Sequence, residues 1–204
     1  MRHLTNIYMK KLLFSLIALG FIFTAQAQIS NGGKKKTFLS ARYTAIDFKT
    51  PSLVNKTSIG QVLSDKKWAQ LPDTKRAIGL GMIRSYTDQI DMYTNVDLSI
   101  TTMPGITINA FKGYTEYFYA SVESGMNVKM FKTDKKINPY VSFGLGIRSF
   151  NFYKYGAYAP LGLGLQIKTC KGSNLNITSN YAAKMSKSFV PSYNYGISYN
   201  FMLN

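Results

Sequence analysis

One histidine, one cysteine and nine carboxylates are all that this 204-residue chain offers to imidazole, thiolate or carboxylate chemistry. The histidine is His3, ahead of an apolar run that reads as an export signal, so the exported chain is expected to carry none. That argues against Ser-His and Asp-His hydrolysis, histidine metal sites and histidine pH switching as a group. The cysteine, Cys170, lies in KTCKGS, which reads as a turn. One cysteine makes no internal disulfide, and no base partner for a catalytic thiol is visible. The carboxylates are scattered, so no catalytic, cofactor-binding or metal-binding residue is assigned and no cofactor is expected. Five charged residues remain at positions that share the polar face of alternating segments: Arg42, Asp97, Glu123, Arg148 and Lys168. Their expected chemistry is mutual pairing in a confined interior, because an unpaired buried charge is costly. A second group, Lys66, Lys67 and Trp68, lies in a long connection and is the candidate interaction loop, since aromatic and basic residues serve interfaces.

The elements that must hold these residues are strands. VSFGLGI sets Val141, Phe143, Leu145 and Ile147 against Ser142, Gly144 and Gly146. APLGLGLQIK sets Leu161, Leu163, Leu165 and Ile167 against Pro160, Gly162, Gly164, Gln166 and Lys168. The end, YNYGISYNFML, sets Tyr195, Ile197, Tyr199, Phe201 and Leu203 against Asn194, Gly196, Ser198 and Asn200. A period of two gives a strand with one apolar and one polar face. Behind an export signal, that pattern predicts a membrane β-barrel whose apolar face meets lipid. A soluble sandwich or lipocalin-like fold is the structural alternative.

The export signal begins at Met9-Lys10-Lys11, continues through the apolar Leu12 to Phe23, and closes on Thr24-Ala25-Gln26-Ala27. A basic start, a short apolar run and a small-x-small site are the parts of a secretory signal peptide. As a helix the apolar run spans about 18 Å, short of the ~30 Å hydrocarbon core. The expected division is a signal peptide at 1–27, a polar tail at 28–36 and a barrel at 37–204. Removing 1–27 takes away Arg2, Lys10 and Lys11 and leaves 22 Lys and Arg against 9 acidic residues, a formal charge of +13. An exported chain does not ordinarily meet nucleic acid, so anionic lipid head groups are the expected partner of this charge. The 15 tyrosines and 13 phenylalanines suit aromatic girdles at the membrane surface.

Alternation predicts eight strands, at 37–48, 77–86, 91–100, 116–130, 139–150, 157–168, 174–184 and 192–203. In the second, Ile78, Leu80 and Met82 share a face with Arg84, which leaves its facing open. The connections 49–75, 101–115, 151–156 and 185–191 fall at one end and 87–90, 131–138 and 169–173 at the other, and the two longest, 49–75 and 101–115, share the first end. Long connections belong outside the cell and short turns in the periplasm. The expected fold is an all-β, eight-stranded antiparallel up-and-down transmembrane barrel, closed because an open edge is costly in hydrocarbon.

The pieces NPYVSFGLGIRSF, YAPLGLGLQIK and YNYGISYNFML, with the TAQAQ junction, resemble small outer-membrane β-barrel proteins of the Bacteroidetes type. The resemblance implies a Gram-negative outer-membrane location and contact with lipid and lipopolysaccharide. It also implies handling by the outer-membrane insertion machinery, which reads a terminal aromatic residue. Here Phe201 is followed by Met202, Leu203 and Asn204, a departure from that pattern. An envelope protein is a further expected partner. The functional expectation is a structural or protein-interaction barrel without enzymatic activity. The alternatives are a narrow pore or small-ligand-binding barrel and, further off, an outer-membrane enzyme. The glycines at 144, 146, 162 and 164 either leave a pocket or relieve crowding.

Overall fold

The computed structural model describes residues 36–70, 73–101, 117–132, 135–152, 154–170, 172–186 and 189–203. Residues 1–27, expected as a signal peptide, most of the polar tail expected at 28–36 and the connection at 102–116 lie outside the described residues. Eight strands form one closed antiparallel barrel in chain order. They are β1 (Thr37–Asp47), β2 (Thr74–Ser85), β3 (Ile90–Thr101), β4 (Tyr117–Lys129), β5 (Ile137–Phe150), β6 (Lys154–Cys170), β7 (Ser173–Lys184) and β8 (Ser192–Leu203). Closure comes from β1 and β8, paired from Thr37 with Leu203 to Asp47 with Tyr193.

The period-two pattern acts here as an inside-out core. The outward face carries Ile78, Leu80, Leu98, Ile100, Leu145, Leu161, Leu163 and Ile197, all exposed. The inward face buries Ser40, Asn95, Asp97, Glu123, Arg148, Asn176, Ser198 and Asn200. A water-soluble fold reverses this arrangement, and so large an exposed apolar band marks a membrane surface. The chain is therefore an outer-membrane type β-barrel with transmembrane strands, and the soluble alternative falls. Among the described residues no helix is long and apolar enough to cross a membrane.

The strand boundaries shift in detail. β2 starts at Thr74, three residues earlier than alternation suggests, because Thr74 and Lys75 pair with Asp47 and Ile46 although their side chains break the pattern. Its facing is resolved: Ala77, Gly81 and Ile83 are buried inward, and Arg84 lies on the outward face with Ile78 and Leu80. Cys170 belongs to the end of β6 rather than to a turn, next to a register shift between Lys168 and Cys170.

The connection read as irregular across 49–75 contains two short helices, α1 (Lys49–Lys56) and α2 (Ile59–Ser64). Asp47 Oδ1 accepts the amides of Lys49 and Thr50, both at 2.9 Å, and so starts α1. Pro51 sits in the first turn, where its missing N–H costs nothing. Ser58 caps α2 through its hydroxyl, which accepts from the Gln61 amide at 3.2 Å.

Candidate functional site: a filled lumen and its two mouths

The barrel axis passes through three layers of side chains. The middle layer is an ion-paired cluster. Arg42, on β1, lies 3.5 Å from Asp97 on β3 and 3.2 Å from Glu123 on β4. Asn95 donates to Glu123 Oε1 at 3.1 Å, and the Tyr158 hydroxyl donates to Oε2 at 3.3 Å. These strands deliver the groups because 42, 95, 97, 123 and 158 share inward parity. In the register, Asn95 stands opposite Glu123 and Arg42 opposite Gly79. The space above Gly79 is taken by the Asp97 carboxylate, so a side chain there would displace the partner of Arg42. One cation between two carboxylates leaves a negative excess, which the neutral amide and phenol donors help to hold.

The layer toward the long connections is aromatic. Arg148 is 1% exposed, and its guanidinium carbon lies 5.4, 5.2, 4.9 and 4.8 Å from the ring centres of Phe48, Tyr119, Tyr158 and Phe189. Arg148 Nη1 donates to Ser192 Oγ at 3.0 Å. A planar cation among ring faces is held by their quadrupoles as well as by the hydrogen bond. Tyr158 and Phe189 stack at 5.0 Å, and Phe150 packs against Phe48 and Tyr119. Phe48 and Phe189 stand in the connections after β1 and β7, so two of the four rings tie these connections to the barrel end. Tyr158 joins the layers: its ring faces Arg148 while its hydroxyl meets Glu123.

The layer toward the short turns is polar. Lys129 and Asp91 form an ion pair at 2.9 Å, with side chains 1% and 3% exposed. Asn174 and Asn200 are buried and share a short hydrogen bond. Below them the barrel opens into a cavity of about 440 Å³ walled in part by Lys36, Lys129, Gln166, Lys168 and Asn174.

The structure thus joins Arg42, Asp97 and Glu123 directly, links Arg148 to them through Tyr158, and sets Lys168 apart at the turn-side mouth. The Lys129–Asp91 pair was not singled out from sequence. Both residues have inward parity, but they stand at strand ends where alternation alone leaves the boundary open. Phe189 lies in a connection and carries no periodic signal, and Phe48 ends the strand expected at 37–48 on the face of Arg42, so neither was linked to Arg148.

The glycines leave no pocket. A side chain at Gly146 would collide with the Tyr158 ring, and one at Gly164 with the Tyr140 ring. These glycines let tyrosines cross the lumen above them, a packing device that fills space. The cavity beside Arg42, Tyr93, Glu123 and Tyr140 measures about 30 Å³. That is room for roughly two water molecules.

In the connection after β1, Lys66 and Lys67 are exposed, while Trp68 lies 4.8 Å from the Tyr193 ring. Lys67 pairs with Asp65 at 2.9 Å, and Lys49 with Asp73 at 2.8 Å. Ile59 and Leu63 of α2 project beside them, 53% and 54% exposed. Among the described residues no group of three or more histidine, cysteine, aspartate or glutamate side chains is placed to hold a metal.

No protein-family model matches the chain, and no curated protein matches it. Solved structures do. Neisserial surface protein A aligns over 85% of this chain and 100% of its own, at 10% identity and a TM-score of 0.52. Ail, the attachment invasion locus protein of Yersinia pestis, in complex with the heparin analogue sucrose octasulfate, aligns over 84% and 100%, at 12% identity and a TM-score of 0.48. The N-terminal β-barrel domain of Pseudomonas aeruginosa OprF aligns over 83% and 100%, at 11% identity and a TM-score of 0.48. At these identities the likeness is one of fold. The Neisserial barrel corrects the resemblance drawn from the strand motifs: the fold matched is that of a barrel from Neisseria and not one of the Bacteroidetes type. Alternating apolar and small residues are common to membrane barrels in general, so the motifs carried architecture and not lineage.

Proposed function

We propose that this chain is a closed, non-enzymatic outer-membrane barrel that acts as a structural or protein-interaction element through its long-connection end. The observation that carries the reading is the filled lumen. Arg42 is engaged by Asp97 and Glu123, and Arg148 stands among four rings directly above them. A barrel of eight strands has an interior that side chains can fill. With Arg42 and Arg148 committed to fixed partners and little free volume beside Arg42, the middle of the barrel offers ions no continuous wet path.

Planar-bilayer recording of purified protein tests this. The expected result is a silent bilayer. A stable, voltage-independent conductance that changes sharply in Glu123→Gln or Arg148→Ala defeats the closed-lumen reading and leaves a narrow pore in its place.

The interaction surface in this reading is 49–75, with Lys66, Lys67 and Trp68 beside the exposed Ile59 and Leu63. Its occupants are lipopolysaccharide head groups, suited to lysine, and an envelope protein, suited to the mixed apolar and basic face. An epitope placed in 49–75 is accessible on intact cells and one placed in 131–136 is not; the reverse pattern inverts the topology. Export removes 1–27 and leaves 28–36 as a tail ahead of the barrel at 37–204, so the mass of the mature protein corresponds to a chain starting at Gln28.

A further inference from the structure

We propose that the turn-side mouth is a binding site for a compact phosphate dianion of the size of a glycerol phosphate. Six strands contribute to its wall: β1, β2, β4, β6, β7 and β8. Lys36 precedes β1, and its carbonyl accepts the Ser85 amide at 2.9 Å, so the start of the barrel is fixed to the end of β2. Lys168 sits on β6 opposite Asn174 on β7, and its amide donates to the Lys136 carbonyl at 2.9 Å. The cavity these residues help to wall measures about 440 Å³. That lies within the ~300–1,000 Å³ of small-molecule sites. It is more than ten times the volume beside Arg42 in the middle layer.

The wall has one sign of charge. Lys36, Lys129 and Lys168 line the cavity, and no carboxylate is among its lining residues. Asp91 neutralises Lys129 from behind at 2.9 Å. Neither Lys36 nor Lys168 forms an ion pair among the described residues. The wall therefore presents two uncompensated ammonium groups. Gln166 and Asn174, 8% and 5% exposed, add neutral polar groups. Inside the described lumen Arg42 and Lys129 are ion-paired and Arg148 is packed among rings, whereas Lys36 and Lys168 line an open hollow. Two cations with amide donors around a water-accessible hollow suit a tetrahedral dianion, whose oxygens accept from several directions at once. A planar monocarboxylate supplies one charge and leaves the second ammonium uncompensated. Phe38 and Met202 form an apolar margin that suits a short carbon backbone on the phosphate.

This site stands at the opposite end from the proposed interaction loop and does not depend on that reading. Its failure would show in ligand titration, and the failure of the closed-lumen reading in conductance.

The test is calorimetric titration of the folded full-length mature protein, in a phosphate-free maltoside detergent, with glycerol 3-phosphate as the probe and glycerol as the neutral control. Saturable binding of the phosphate and none of glycerol is expected. The double variant Lys36→Gln, Lys168→Gln should weaken it by about tenfold or more, Lys168→Arg should retain it, and Lys184→Gln at the exposed far end of β7 should leave it unchanged. Absence of saturable binding overturns the proposal, as does an affinity that Lys184→Gln lowers as much as the double variant does. If the double variant does not fold, Lys168→Gln alone is compared with Lys168→Arg, and equal affinities overturn the proposal. A second arm identifies the source of the phosphate. In nanodiscs of phosphatidylglycerol, a lipid head group competes and weakens the added probe relative to phosphatidylcholine discs; equal affinity in both assigns the site to a soluble ligand.

Discussion

The two ends of this lumen are built on opposite principles. Toward the long connections, the charge of Arg148 is enclosed by Phe48, Tyr119, Tyr158 and Phe189 and is 1% exposed. Toward the short turns, Lys36 and Lys168 face a hollow of about 440 Å³. The same strand alternation produces both ends. What differs is who supplies the partners. At the closed end, connections fold back and contribute Phe48 and Phe189. At the open end, the described turn residues add only Gly172 to the wall. The residues a connection carries therefore decide which mouth is closed by its own chain.

The largest effect is expected where the two regimes meet. Arg42→Ala leaves Asp97 and Glu123 buried without their cation and should cost about 3–5 kcal/mol. Urea unfolding in lipid vesicles, followed by circular dichroism, measures it. A loss below about 1 kcal/mol, the range of an exposed ion pair, would mean that water reaches this layer and that the contrast between the ends is false. The triple variant Arg42→Met, Asp97→Asn, Glu123→Gln should recover most of the loss, because the stranded charges then disappear together.

Arg148→Ala should come next, at about 2 kcal/mol, from lost contact with several rings. The single Trp68 lies at that end, against Tyr193. Its fluorescence should therefore report loosening of the closed mouth before circular dichroism reports loss of the barrel. Coincident transitions would show that the aromatic layer is no separate unit. Arg148→Lys should recover only part of the loss, since an ammonium lacks the planar face that rests on a ring.

Gly164→Ala places a methyl group against the Tyr140 ring and should destabilise by about 1–3 kcal/mol through overpacking. Combining it with Tyr140→Phe should not relieve the clash, because the ring carbons and not only the hydroxyl stand in the way. The smallest effect belongs to the open mouth. Lys168→Gln should change stability by less than about 0.5 kcal/mol, the usual range for a residue that shares no buried network. A large loss there would show that the mouth is structural packing after all.

What was legible in the sequence follows the periodic signal. From Val141 to Leu203, apolar and polar residues alternate cleanly, and strands, facing and order could be read from them. The parity that puts Arg42, Asp97 and Glu123 inward is the same signal, so their side of the sheet was readable while their contacts were not. Contact depends on stagger between strands, and Arg42 meets Glu123 across two intervening strands without pairing with it in register. α1 and α2 were hidden for another reason. Each is under three turns long, too short to show a clear period of 3.6, and their start signals are Asp47 in the preceding strand and Ser58 between them. Lys168 was grouped with the other inward charges because parity tells inside from outside but does not give depth along the axis.

The seam between β1 and β8 imposes an order of events. Thr37 pairs with Leu203 and Asp47 with Tyr193, so the first strand to leave the ribosome closes against the last. Until β8 exists, one flank of β1 has no partner, and in hydrocarbon each orphaned peptide group costs several kcal/mol. The chain cannot insert strand by strand as it is made. Its future lipid-facing residues stay unprotected until the last strand is made, and this favours escort by a holdase. Loss of the last dozen residues to a premature stop codon would leave an open sheet with two sticky flanks, a substrate for proteolysis or aggregation in place of a slightly smaller barrel.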